Sequence, residues 1–181
     1  MASDSLQYTE ILAALRHAYT LQYIHWQQYE LFTWQWWFLL GLLIIPWLVW
    51  WKLVDRARTG IILVYGFYII FVVTLMDATG SVLQNWLYPI TLLPVFPFTI
   101  GLDWGILVVM QMLIFQYFTC WKEFLIAEFS VAAFMAFIGE PIAEWMGIYC
   151  ALHWYHHWSF PIYLMMAVIG KWLIESIVYQ R

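Results

Sequence analysis

The chain has 181 residues; 65% are hydrophobic, only 10% are charged, and the formal net charge is −4. Roughly a quarter of an average soluble domain is charged, so a water-soluble fold of this length could not cover its own apolar surface, and the bilayer has to be part of its solvent. The acidic balance and the lack of any basic patch give nucleic acid nothing to bind.

The N-terminus, MASDSLQYTEILAAL, has no positively charged start and carries acids before any apolar run, so it does not read as a secretory signal. Over residues 5–32, Tyr8, Leu12, Leu15, Tyr19, Tyr23 and Trp26 recur near the helical period and share one face. Glu10, His17 and Gln28 lie opposite, with Gln22 as an exception close to the stripe. Residues 1–33 therefore read as an amphipathic helix on the outer side. It is not Lys-rich, which favours docking on its own bundle over adhesion to anionic lipid.

Residues 34–181 read as an all-α membrane bundle of five spanning helices, at about 34–54, 61–84, 102–121, 124–145 and 161–179. Pro46 predicts a kink in the first span. Between the second and third lies NWLYPITLLPVFPFTIGLDW, apolar yet interrupted by Pro89, Pro94 and Pro97. Unpaired backbone cannot face lipid, so residues 85–103 are expected to form a re-entrant or interfacial loop.

Lys52, Arg56, Arg58, Lys122 and Arg181 fall on one side if the spans alternate, and Lys171 can snorkel toward it. Only Arg16 falls on the other. The positive-inside rule then places the N-terminus outside and the C-terminus in the cytoplasm. Cys120 and Cys150 fall at opposite faces, too far apart for a disulfide.

Polar side chains gather toward the outer end. By a rise of about 1.5 Å per residue, Asp77 lies about 24 Å from Ile61 and Glu140 about 27 Å from Lys122. Asp77 forms a stripe with Gly80, Ser81 and Gln84, and an acid in a span is a functional candidate; the alternative is a hydrogen-bonded tie between helices. Glu140 and Glu144 share a face if the helix survives Pro141, and a carboxyl pair suits proton handling or a cation. His153, His156 and His157, spaced i, i+3 and i+4, suggest a divalent-metal site with Glu140 as a further ligand, or else interfacial imidazoles among Trp and Tyr. There is no phosphate loop, GxSxG elbow or CxxC pair.

The motifs WWKLVDRAR, LMDATGSVLQNWLYPITLLPVFP, FQYFTCWKEFLIAEF, GEPIAEWMGIY and HWSFPIY resemble a family of small, uncharacterised, five-span membrane proteins from spore-forming Firmicutes. The resemblance covers about residues 50–179 and implies a Gram-positive cytoplasmic membrane and a context in sporulation. Asp77, Tyr88, Pro89, Pro94, Pro97, Glu140, Pro141, His156, Ser159 and Pro161 match the family pattern. Tyr155 departs from it, standing where a basic residue is usual, and His153 and His157 are particular to this chain. That shifts weight from three histidines to Asp77, Glu140 and His156.

The expected protein has an outer-leaflet polar pocket of Asp77, Glu140, Glu144 and His156, capped by the proline-rich loop and the N-terminal helix. It binds a small ligand, membrane lipid headgroup or cation, or supports a homo-oligomer or larger membrane complex. One alternative is a membrane-embedded enzyme on a lipid or isoprenoid, with Glu140 as acid or base and His156 as its partner. Another is a proton or ion pathway, which only Gln111, Gln116, Glu128 and Lys171 would continue inward.

Overall fold

The computed structural model describes residues 2–178, with side chains from 7 to 177; Tyr179 and Arg181 lie outside the described residues. Helix dominates. α1 (Ala2–His25) runs into a π-helical turn, Trp26–Glu30. α2 (Trp34–Leu53) and α3 (Thr59–Val82) follow. A π-helical turn, Leu102–Leu107, opens α4 (Val108–Tyr117). α5 (Trp121–Phe134) continues through a π-helical turn, Met135–Gly139, into α6 (Glu140–Trp145), and α7 (His156–Val178) closes the chain. The sheet is one antiparallel pair of two-residue strands, β1 (Trp86–Leu87) and β2 (Cys150–Ala151).

Among the described residues, four helical stretches are long and apolar enough to cross a membrane: Trp34–Leu53, Thr59–Val82, Trp121–Trp145 and His156–Ile177. The chain is a membrane protein with lipid-facing helices. Of the five expected spans the third is not shown at spanning length: it is a shorter apolar helix, Leu102–Tyr117. Its six-residue turn and ten-residue helix together rise about 24 Å, short of a hydrocarbon core of about 30 Å. The length mismatch is tolerable because protein surrounds this helix. Val108, Val109, Gln111, Met112, Ile114, Phe115 and Gln116 are all buried, and Ile62, Tyr65, Ile69 and Val73 of α3 pack with them in the main core. Tyr65 stacks on Phe115 at 4.4 Å.

α2 is continuous through Pro46. Proline has no N–H to give the carbonyl four residues back, which is that of Leu42. A Cβ on Gly105 would overlap this same carbonyl, so glycine lets the π-helical turn that opens α4 lie directly against α2 there. Nearby, Trp47 Nε1 donates to the Trp104 carbonyl at 2.8 Å.

The proline-rich segment folds down beside α2 before α4 starts. Gly101 packs against the Leu39 backbone, and Leu92, Phe98 and Ile100 form a second core with Leu39 and Ile148. Its backbone groups find side-chain partners. Trp26 Nε1 donates to the Thr91 carbonyl (3.1 Å) and Trp36 Nε1 to that of Leu92 (3.2 Å). The stripe below Asp77 seats the same segment: Ser81 Oγ donates to the Pro97 carbonyl at 2.6 Å, and Gly80 leaves room for the Trp86 indole.

α1 does not cap the bundle as expected. Tyr8, Leu12, Leu15, Tyr19 and Tyr23 are all exposed. Ile11, Leu21 and Ile24 lie off that stripe and are exposed too, so the helix has no single face that gains by docking. Its attachments come at its end, through Trp26 and the buried Glu30.

Opposite the β pair lies a basic end. Gln116 accepts from the Asp55 amide (3.0 Å) and donates to the Leu53 carbonyl (3.0 Å), and Arg58 donates to the Gln116 carbonyl (3.2 Å). Lys171 does not snorkel to water. It is buried and donates to the carbonyls of Phe118 and Thr119 at 3.0 and 2.9 Å, where α4 stops. Lys52, Arg56, Arg58 and Lys122 flank these turns, so the alternation read from charge matches the helix ends.

Candidate functional site

Three acids meet inside the other end of the bundle, each brought by a different local device. Asp77 sits near the end of α3. Asp103 sits in the π-helical turn that starts α4. Glu140 opens α6 directly after the π-helical turn Met135–Gly139. A wide turn advances later side chains around the helix axis and absorbs the bond that Pro141 cannot make. The helix does survive this proline: Glu140 and Glu144 reach the same imidazole. α6 then stops at Gly147, whose φ of 71° suits glycine and turns the chain toward Tyr149.

The acids line a cavity of about 300 Å³ with Tyr88, Tyr149 and Tyr163 at its polar end. Tyr88 donates to Asp77 Oδ2 at 2.7 Å and Tyr163 to Glu140 Oε1 at 2.8 Å. Asp103 lies beside Asp77 and Tyr88, and its Oδ2 is buried with no hydrogen-bond partner. Burial, reinforced by Asp77 and then Asp103, holds the Tyr88 phenol well above its ordinary range. Burial, then Glu140 and Asp77, raises Tyr149 too. Both phenols therefore stay protonated, and Tyr88 donates to Asp77.

Apart from Ser159, the rest of the wall is built of apolar and aromatic side chains and Gly139, including Leu42, Val73, Leu107 and Met166. On one side it reaches Phe38 of α2, and on the other Phe134 and Ile142 of α5 and α6, all exposed on the lipid-facing surface. α2 touches the end of α6 where Gln35 Nε2 donates to the Met146 carbonyl at 3.4 Å. Among the described residues, no Lys, Arg or His lines it. Asp77 and Asp103, carboxyl groups with no basic partner, need protons or a cationic ligand to neutralise them.

Of the expected ligand-binding residues, Asp77 and Glu140 line this cavity, and His156 and Glu144 do not. His156 stands behind Glu140, its Nδ1 2.8 Å from Glu140 Oε2 and its Nε2 3.2 Å from Glu144 Oε2. The expected metal set of His153, His156, His157 and Glu140 does not converge. The helix that would align the imidazoles starts only at His156. His153 Nδ1 instead lies 3.2 Å from the Gln84 carbonyl, and His157 stacks on Tyr155. Among the described residues, no group of three or more His, Cys, Asp and Glu side chains is gathered to hold a metal ion.

Sequence reasoning did not single out Asp103, Tyr149 or Tyr163, and reached Tyr88 only through the family resemblance. Asp103 carries a signal of its own, an acid inside an apolar run. The tyrosines carry none, being three of twelve. No protein-family model, curated protein or solved structure is found to match the chain.

Proposed function

We propose that this integral membrane protein takes one amphiphilic molecule from the bilayer and holds its polar end among Asp77, Asp103 and Glu140. The observation that carries this reading is a cavity of about 300 Å³ lined by acids and phenols and by apolar side chains that include the exposed Phe38, Phe134 and Ile142; in this reading those three mark a sideways mouth open to lipid. The polar end selects by charge. Carboxyl groups repel phosphate or carboxylate, and no Lys, Arg or His among the described residues lines the cavity to offset them. An amine or a hydroxyl fits, the latter donating to the open Asp103 Oδ2 or accepting from a phenol. The tail lies along Leu42, Leu107 and Met166.

In this reading the basic end faces the cytoplasm and the cavity lies in the outer leaflet, as the positive-inside rule favours. The resemblance described above would imply a Gram-positive cytoplasmic membrane and a context in sporulation.

A transmembrane ion path finds little support. Beneath the acids the core is Ile69, Val73, Val108, Met112 and Met166. The next polar groups are the buried string Tyr65–Gln111–Glu128, joined at 3.2 and 3.0 Å. Gln111 lies eight residues beyond Asp103, or about 12 Å of helical rise. The enzymatic alternative has more support, because a lipid-open cleft ending at carboxyl groups is what acid–base chemistry on a lipid or isoprenoid requires.

Native mass spectrometry tests the binding reading. The full chain is equilibrated in mixed micelles with equal amounts of oleylamine, oleyl alcohol and oleyl phosphate. The amine and alcohol are expected as one-to-one adducts. Asp77→Asn weakens the amine adduct by about tenfold, corresponding to the 1–3 kcal/mol of a charge-assisted or buried polar contact. Preferential capture of the phosphate, or no adduct at all, overturns the reading.

A further inference from the structure

Glu140 is the only member of the Glu140–His156–Glu144 group that lines the cavity. The three side chains run outward in line. Their exposures rise from 12% at Glu140 to 26% at His156 and 42% at Glu144. Both ring nitrogens of His156 face carboxyl oxygens, at 2.8 and 3.2 Å. A neutral imidazole has one N–H and one lone pair, so it cannot donate to both carboxylates. The trio closes its hydrogen bonds only by holding one further proton, either on the ring or on one of the acids. That proton has more than one place to sit along a single line of contacts.

We propose that Glu144, His156 and Glu140 form a proton relay between water at the polar end of the bundle and the membrane-embedded cavity. The inward step starts with a protonated Glu144 and an imidazole carrying its proton on Nδ1. The Glu144 O–H bond breaks as an Nε2–H bond forms. The Nδ1–H bond breaks as an O–H bond forms on Glu140 Oε2. One proton has then moved from the surface to the cavity, Glu144 is a carboxylate, and the ring is in its other tautomer. The reverse step carries a proton out. No oxidant, reductant or metal is involved.

The surroundings restrict His156 to this line. Glu140 and Glu144 of α6 hold its two nitrogens, and the Tyr149 ring lies 6.2 Å away between centroids. Its helical neighbour His157 turns away to stack on Tyr155. On the cavity side, Tyr163 occupies the other oxygen of Glu140 at 2.8 Å. A proton delivered to Oε2 therefore has the cavity as its onward destination.

The relay serves the cavity described above and rests on that reading, but its test uses no amphiphile, so the two can fail separately. The full chain in lipid nanodiscs is taken through a rapid pH drop and followed by time-resolved infrared spectroscopy. The Glu140 carboxyl band is marked by its loss in Glu140→Gln. In His156→Gln, protonation of Glu140 is expected to slow by about a hundredfold, the lower end of general acid–base effects. Imidazole added to His156→Gly restores the rate. Glu144→Gln, a change at a partly exposed side chain, slows it as well and guards against misfolding of the histidine variants. An unchanged rate in His156→Gln or in Glu144→Gln overturns the relay. So does slowing in His156→Gln without rescue by imidazole in His156→Gly, which would make the ring a structural tie.

Discussion

Glu30 accepts from the Thr91 amide at 2.8 Å and the Thr91 hydroxyl at 3.2 Å, and its other oxygen lies 3.1 Å from His25 Nδ1. It thereby pins the proline-rich segment to the end of α1. Glu30→Ala would leave a buried amide unpaired, at a cost of about 1–3 kcal/mol. A lower thermal midpoint and faster proteolysis within residues 85–101 are the expected readouts. Glu30 stands among WQQYELF, where an acid near Trp and Tyr looks interfacial, and its burial comes from a loop 61 residues further on. Asp77 and Glu140 were legible because a carboxyl group inside a long apolar run has few structural excuses. The histidine spacing misled because i, i+3 and i+4 mean a shared face only within a helix, and His153 precedes the helix.

Hydropathy at the scale of elements counts apolar residues without separating helix from turn. It therefore extended the third span from Tyr117 to 121, across the Phe118–Cys120 break. It also assigned α1 to the bundle from one stripe, without weighing the apolar residues off that stripe. The contact between α2 and the turn that opens α4 was hidden for a different reason. Pro46 and Gly105 each look like a weakness in a helix, and only together do they make a close crossing. Gly105→Ala forces a methyl group against the Leu42 backbone. Neither partner is a flexible side chain, so the expected loss is about 1–3 kcal/mol, typical of overpacking. It would register as a lowered melting midpoint, whereas Gly60→Ala, where nothing lies within 4 Å, leaves that midpoint unchanged.

For the whole molecule, the two cysteines report the threading. Cys120 is exposed at the basic end, beside the turn that Lys171 caps, and Cys150 is partly buried in β2 at the polar end. A membrane-impermeant maleimide is expected to label Cys150 and spare Cys120 in right-side-out vesicles, and to do the reverse in inverted ones. The mirrored pattern would reverse the orientation proposed here, and labelling of both from one side would refute the helix order. The sideways mouth of the cavity sets a further condition on whatever occupies it. Lipid tails are as apolar as the cavity wall, so moving a tail from bilayer to protein gains little free energy. Recognition is left almost wholly to the head group, and the tail acts as an address that keeps the molecule within reach. Occupancy then follows the ligand's share of the membrane rather than its concentration in water.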